Sequence, residues 1–219
     1  QAILFHGPES VSAFIGEPVS QPHGGVVPPD GYWQRIREIC DKYGILLIFD
    51  EIITGFGRLG TWFGANYFGV TPDIMSIAKG ITSGYFPVGG SIVSSEVAKV
   101  FNQVPFSHMY TYSSHPAGSA AALVNIEIIE RENLLRNTRE RGEQLERRLL
   151  DMKEMHPIIG DVRGAGLLRG IEIVRNRDSK EHFEPDVKVN TLLTKGFLKR
   201  GLWLRAQPYI VPIAPPLIV

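Results

Sequence analysis

The sequence predicts an α/β protein, with a mainly parallel sheet flanked by helices and a smaller α+β unit behind it. Three observations carry that reading. The run Ile45-Leu46-Leu47-Ile48-Phe49 is apolar at every position, as expected for a strand covered on both faces in a parallel sheet. A helical pattern precedes it, with Trp33, Ile36, Ile39, Cys40 and Tyr43 on one face. Beyond about residue 156 the pattern changes to short strand-like and helical segments in close succession.

Taken in order, residues 11–16 (VSAFIG) read as a buried strand ending at Glu17-Pro18, before a loop rich in Pro, Gly and His. Asp30 is placed to cap the helix that runs to about Tyr43, and Gly44 ends it. Residues 73–78 (DIMSIA) and 88–94 (VGGSIVS) are further strands. From Pro116 the pattern is helical. AGSAAALVNIEIIERENLL runs into RNTRERGEQLERRLLDMKEM as one long helix or two, and the charged half reads as a solvated face with i,i+4 pairs. After HPIIGDVRGAG, LLRGIEIV reads as a strand, residues 186–200 as a helix, and GLWLRA and YIVPIA as strands. The expected division is therefore residues 1–155 and 156–219.

The bulk numbers narrow the function classes. The chain has 219 residues, enough for one large domain or two small ones, and its 43% hydrophobic and 21% charged content is ordinary for a globular protein. Lys+Arg and Asp+Glu both total 23, so nothing in the charge balance points to nucleic acid or an anionic membrane. No apolar run is long enough for a membrane span. The single cysteine, Cys40, excludes an internal disulfide and suits a reducing compartment, so a cytoplasmic location is expected. The chain opens in what reads as mid-domain and closes on apolar APPLIV, which leads us to expect a segment of a longer protein.

Residues 55–60, GFGRLG, satisfy the dinucleotide fingerprint G-x-G-x-x-G. In a dinucleotide fold the first glycine ends the strand, so that the following helix N-terminus meets the pyrophosphate. Here Asp50 to Thr54 intervene, and the expected ribose-binding acid falls near Lys79-Gly80, where there is none. The glycines read better as a loop that needs positive φ or close backbone approach.

Two other residues suggest chemistry. Asp50 stands at the carboxyl end of the apolar strand, where α/β sheets place ligand-binding groups, although a strand-end acid can equally cap a helix or pair with Arg58. Lys79 follows DIMSIA; taken alone it reads as a snorkelling surface lysine, but a desolvated lysine has a lowered pKa and becomes an amine nucleophile. An acid and a lysine at neighbouring strand ends are what pyridoxal 5′-phosphate requires. The lysine binds the aldehyde as a Schiff base, and the acid keeps the pyridine nitrogen protonated.

In the segments AFIGEPV, GYWQRIREICDKYGILLIFDEIITGFGRLGTWFG, PDIMSIAKGITSGYFPVGG and TYSSHPAGSAAALVNIEIIE the chain resembles successive blocks of class III aminotransferases of fold type I. GDVRGAGLLRGIEIV and GLWLRAQPYIVPIAPPLIV resemble the small C-terminal domain of the same family. The resemblance implies part of the large cofactor-binding domain over 1–155, part of the small domain over 156–219, and pyridoxal phosphate as cofactor. It implies that Lys79 is the Schiff-base lysine, that Asp50 pairs with the pyridinium nitrogen and that Ile52 packs on the ring. It further implies that Thr111, with Tyr110 beside it, reaches the cofactor phosphate of a neighbouring subunit in a homodimer or a dimer of dimers; a helix-start role for the Thr111 hydroxyl is the alternative. Arg205 matches an arginine that binds the substrate carboxylate, or else is a surface arginine on a strand, and Glu17 matches a supportive glutamate near the site.

The implied activity is transamination from an amine or omega-amino acid to a keto acid such as pyruvate. A decarboxylase or aminomutase of the same family would use the same cofactor residues, and a nicotinamide-dependent oxidoreductase is the competitor from another class. SQPHGG departs from the small-residue loop usual after Glu-Pro-Val, and Pro22 and His23 are bulky enough to reshape a substrate pocket. The family's N-terminal phosphate-binding turn and stacking aromatic have no counterpart in these residues, so the polypeptide by itself is expected to bind the cofactor poorly.

Overall fold

The all-apolar run lies between two parallel neighbours, as its composition requires. A computed structural model describes all 219 residues of the chain. After a short helix α1 (Ala2–His6), strands β1 (Ala13–Gly16), β2 (Leu46–Asp50) and β3 (Ile74–Ile77) run parallel in that spatial order, and β4 (Gly90–Val93) joins antiparallel to β3. Helix α2 (Tyr32–Tyr43) makes the crossover from β1 to β2 that a parallel pair needs. Helix α3 (Gly64–Phe68) lies between β2 and β3, and α4 (Ser95–Lys99) follows β4.

Leu47 and Phe49 are fully buried and pack with Trp33, Cys40, Ile45 and Val70. Trp33 centres this core: its ring meets Phe49 edge-on at 4.5 Å, and its Nε1–H donates to the Pro18 carbonyl at 3.0 Å. Burial of one such aromatic stabilises by about 2–3 kcal/mol. Gly16 must be glycine here, because a Cβ would stand 2.9 Å from the Trp33 ring. Asp73 fixes the start of β3. Its Oδ2 accepts from Leu47 N–H at 2.7 Å and from Arg37 at 2.7 Å.

Two details here differ from the sequence reading. Asp30 makes no cap, because Gly31 takes the N-cap position at φ 79° and leaves Asp30 one residue too early. At the other end Gly44, φ 66°, closes the helix as expected. β1 is an edge strand of this sheet, so Ile15 is 61% exposed instead of buried. The long helical stretch is two helices, α5 (Pro116–Arg131) and α6 (Leu134–Met155), separated where Asn133 turns to φ 54°. The expected i,i+4 pairs are present, Arg136–Glu140 at 2.7 Å among them.

The second sheet is antiparallel, in the order β5 (Ile159–Ala165), β6 (Leu168–Ile173), β7 (Ile210–Ile213), with α7 (Val189–Leu198) inserted before β7. Leu149 of α6 packs on Ile159, Ile171, Ile173, Ala206 and Val211. Residues 1–18 with 28–134 form one compact unit, and residues 19–27 with 135–219 form the other. That division precedes the change of pattern near residue 156, since α6 shares its core with the second sheet. The SQPHGG loop also belongs to the second unit. Its Gly24 approaches β6 so closely that a Cβ on Gly170 would stand 2.0 Å from the Gly24 carbonyl oxygen. GLWLRA forms no strand; Ala206 enters the core and Leu204 packs against it.

Candidate active site

β1, β2 and β3 are parallel, so their carboxyl ends lie along one edge of the sheet, and Glu17, Asp50 and Lys79 follow or end those three strands. Asp50 is in register with Ser76, and Lys79 comes just past the end of the same strand. The Asp50 side chain is half-buried. Its Oδ1 accepts from the Ile52 N–H at 3.1 Å, its Oδ2 receives no hydrogen bond within the chain, and it forms no ion pair.

Lys79 is exposed and makes no ion pair, the surface placement that its sequence context suggests when it is taken alone. Its backbone sits at φ 45°, in the left-handed region. A non-glycine residue there costs of order 1–3 kcal/mol and persists only when its surroundings over-determine it. Those surroundings can be named. Lys79–Ile81 form a single 3-10 turn, and Thr82, buried behind it, donates its hydroxyl to the Phe86 carbonyl at 2.6 Å. Asn125 of α5 donates to the carbonyls of Gly80 at 2.9 Å and Ile81 at 3.1 Å. Gly80 itself rests on the neighbouring loop, where a Cβ would come within 3.0 Å of Phe56.

That neighbouring loop is GFGRLG. Phe56, Gly57 and Gly60 have φ of 56°, 97° and 85°, and no helix begins until Gly64, so the fingerprint is a turn structure and not a nucleotide cradle. Glu51 organises it. This carboxylate is fully buried and accepts from the Thr54 hydroxyl at 2.5 Å and from the Gly64 and Ala65 N–H groups at 2.8 and 2.7 Å. Burial pushes its pKa above the usual carboxylate range, against the pull of those three donors. The adjacent acids thus have opposite tasks: Glu51 is consumed by structure, whereas Asp50 keeps an oxygen available.

The remaining predicted residues are placed as follows. Ile52 is half-buried in the turn after Asp50, and Glu17 is half-buried beyond β1. Tyr110 and Thr111 are exposed in the turn before α5. The Thr111 hydroxyl does not start that helix; His115 Nδ1 does, accepting from Ala117 N–H at 3.2 Å. Arg205 belongs to the second unit, exposed on an irregular segment and without an ion pair. Pro22 and His23 are exposed in the second unit, while Gly24 and Gly25 beside them are buried. Sequence reasoning missed Glu51 and Asn125. The available signals were the second acid of the Asp-Glu pair and a lone amide inside the apolar run ALVNIEII.

The donor set suits pyridoxal phosphate. A carboxylate with an unfilled oxygen matches a ring N–H⁺, and an exposed primary amine at the adjacent strand end matches an aldehyde.

Residues 2–219 match the family described as Aminotransferase class-III. The chain is 44% identical over 219 residues to the putrescine–pyruvate aminotransferase of Pseudomonas aeruginosa, a match covering 99% of this chain and 48% of that protein. Among solved structures, an (S)-enantioselective omega-transaminase from Thermomicrobium roseum superposes with a TM-score of 0.96 at 47% identity, covering 100% of this chain and 49% of that one. An amine transaminase from an uncultivated Pseudomonas species, solved in its PLP-bound form, superposes with a TM-score of 0.95 at 37% identity, covering 100% and 50%. The chain spans about half the length of the curated relatives it matches.

Proposed function

The chain belongs to the class III aminotransferase family, and from that premise we propose that it serves the transfer of an amino group from an amine or omega-amino acid to a keto acid such as pyruvate, with pyridoxal 5′-phosphate as the resident cofactor. One observation carries the reading: the Asp50 carboxylate, without a cation, and the exposed Lys79 amine stand at the ends of adjacent parallel strands. The preference for pyruvate as acceptor is supported by the relative from Pseudomonas aeruginosa, a putrescine–pyruvate aminotransferase.

Bound at this edge, pyridoxal phosphate supplies an electron-accepting ring and carries the amino group between the two substrates. The Asp50 carboxylate keeps a proton on the ring nitrogen. Lys79 Nζ holds the aldehyde end and, once released, moves a proton at the substrate carbon. Ile52 packs on the ring face, and Glu17 supports the site from the end of β1. Arg205 binds a substrate carboxylate, for which a guanidinium fork is suited. Thr111 and Tyr110 serve the phosphate of a neighbouring subunit, which makes the working form a homodimer or a dimer of dimers. The reading includes a large cofactor-binding domain over 1–155, a small domain over 156–219 and a cytoplasmic location. No helix is long and apolar enough to cross a membrane.

The test is covalent trapping. The full-length protein loaded with pyridoxal phosphate is reduced with borohydride, digested and mapped, and incubated in parallel with an amine and pyruvate. Cofactor mass on the Lys79 peptide, its loss in Lys79→Ala, and alanine formed only when pyruvate is present are the expected results. Cofactor fixed to another lysine would overturn the assignment. Product formed without consumption of pyruvate would overturn transamination.

A further inference from the structure

The turn that presents Lys79 cannot hold its shape unaided. Lys79 lies at φ 45° and Ser83 at φ 49°, two non-glycine residues in the left-handed region within five positions. The hydrogen bonds inside the turn are long, with Thr82 N–H to Lys79 O at 3.3 Å and Ser83 N–H to Gly80 O at 3.4 Å. The side-chain hydrogen bonds that close on it from outside come from one residue. Asn125 donates both amide hydrogens, to Gly80 O at 2.9 Å and Ile81 O at 3.1 Å, and its Oδ1 accepts from the Ser83 hydroxyl at 2.6 Å. Asn125 is 9% exposed and stands among apolar residues of α5, remote in sequence from the turn.

The choice of residue is chemically specific. Only a primary amide of this length offers two donors to two carbonyls and an acceptor to a hydroxyl at one point. Aspartate would set a carboxylate oxygen against two carbonyl oxygens. Leucine would leave both carbonyls without their donor in a buried place.

We propose that Asn125 is a positioning residue for Lys79, setting the direction of the amine through the Gly80–Ser83 turn. It touches neither substrate nor cofactor. The inference rests on the reading of Lys79 as the amine that receives the cofactor aldehyde. Attachment joins Lys79 Nζ to the aldehyde carbon with loss of one water, and a turn free to relax its left-handed residues turns the amine away from that approach.

The experiment measures the rate of cofactor attachment in the full-length apoprotein mixed with pyridoxal phosphate. Samples are quenched with borohydride at intervals, and the Lys79 peptide is quantified. Hydrogen exchange at the Ile81, Thr82 and Ser83 amides is followed in the apoprotein. Asn125→Ala is compared with Ser83→Ala, which removes only the contact to Oδ1. Ile129→Ala serves as a control, a buried residue one turn along the same helix whose apolar side chain can make no hydrogen bond to the Gly80–Ser83 turn.

The expected result is attachment about tenfold or more slower in Asn125→Ala, the scale set by releasing a positioned reactant. A smaller slowing is expected in Ser83→Ala and none in Ile129→Ala, with faster exchange at the three amides in the first two variants alone. Attachment at the wild-type rate in Asn125→Ala, or equal slowing in Ile129→Ala, would overturn the proposal. Should Asn125→Ala fail to fold, Ser83→Ala decides: an unchanged rate and unchanged exchange overturn it. If the reading of Lys79 itself is wrong, the wild-type peptide carries no cofactor, and the two failures are thereby told apart.

Discussion

Asp50 and Lys79 end parallel strands of the first sheet without an ionic partner, whereas the charges of the second sheet are matched to one another. Arg163 meets Glu172 at 2.5 Å and Asp161 at 3.0 Å. Arg169, 4% exposed, donates to Glu146 at 2.7 Å and to the carbonyls of Gly164 and Gly166 at 2.9 and 3.1 Å. The topology explains the contrast. Parallel strands end together on one edge and leave their last side chains facing outward, while antiparallel neighbours bring diagonal side chains within reach, as Arg163, in register with Gly170, reaches Glu172, in register with Asp161. A charge closed by a partner stabilises the fold; a charge left open is available to a ligand. Substitutions of the open charges ending the first sheet should therefore change chemistry without stability, and those of the paired charges in the second should do the reverse.

Asp50→Asn should produce the largest effect. The substituted Oδ1 still accepts from the Ile52 N–H, so stability should stay within about 0.5 kcal/mol of wild type, as for changes that break no buried contact. Amino transfer by the full-length protein should fall about 100-fold to 1,000-fold, the scale of one preorganised electrostatic contact. Paired measurements of turnover and thermal midpoint check this. A large loss of stability with turnover preserved would place Asp50 among the structural acids beside Glu51.

Arg169→Ala should do the opposite. It removes the donor to carbonyls in a buried turn and strands Glu146, whose side chain is 45% exposed and so regains water. The loss should be about 2–3 kcal/mol, below the range for a fully buried pair because of that exposure. Denaturant midpoints measure it, and the spectrum of bound cofactor should not change. A change in that spectrum without loss of stability would break the distinction between open and closed charges.

How far the sequence discloses this contrast depends on the range of the cause. β2, α2 and Gly44 are readable because their causes are local: an unbroken apolar run, a 3.6-residue spacing and a glycine in the left-handed region. Asp50 and Lys79 are readable as strand-end residues once the strands are placed. β5 was not read, because Gly160, Gly164 and its charged residues hide the alternation, and its pairing passes an irregularity between Ile159 and Asp161. GLWLRA looks like a strand but pairs with nothing; β6 takes Ile210–Ile213 as its neighbour instead. Glu51 and Asn125 escaped because most of their partners are backbone groups, some 13 and 45 residues away, which no side-chain pattern announces. The exposure of Lys79, by contrast, is the surface reading that its own sequence context gives.

Glu172→Gln gives the smallest and most discriminating effect, since it tests whether a closed charge behaves as one across pH. Burial raises the Glu172 pKa, but hydrogen bonds and charge from Arg163 and His182 outweigh it and hold the carboxyl below its ordinary value. A folded pKa below the unfolded one means that the unfolded chain binds the proton more readily. The stability Glu172 contributes is therefore complete above the unfolded carboxylate value of about 4.3 and is lost as pH falls through the lower folded value. At neutral pH the glutamine variant should be less stable by about 1 kcal/mol, the upper range for a partly exposed pair. The gap should close as the medium is acidified below that value, because protonated glutamate and glutamine then present Arg163 with similar neutral acceptors. Denaturant titrations of both proteins at neutral and at strongly acid pH measure the gap directly. A gap of constant size would mean that Glu172 stabilises by shape and not by charge, and that the second sheet owes less to its matched ions than the geometry implies.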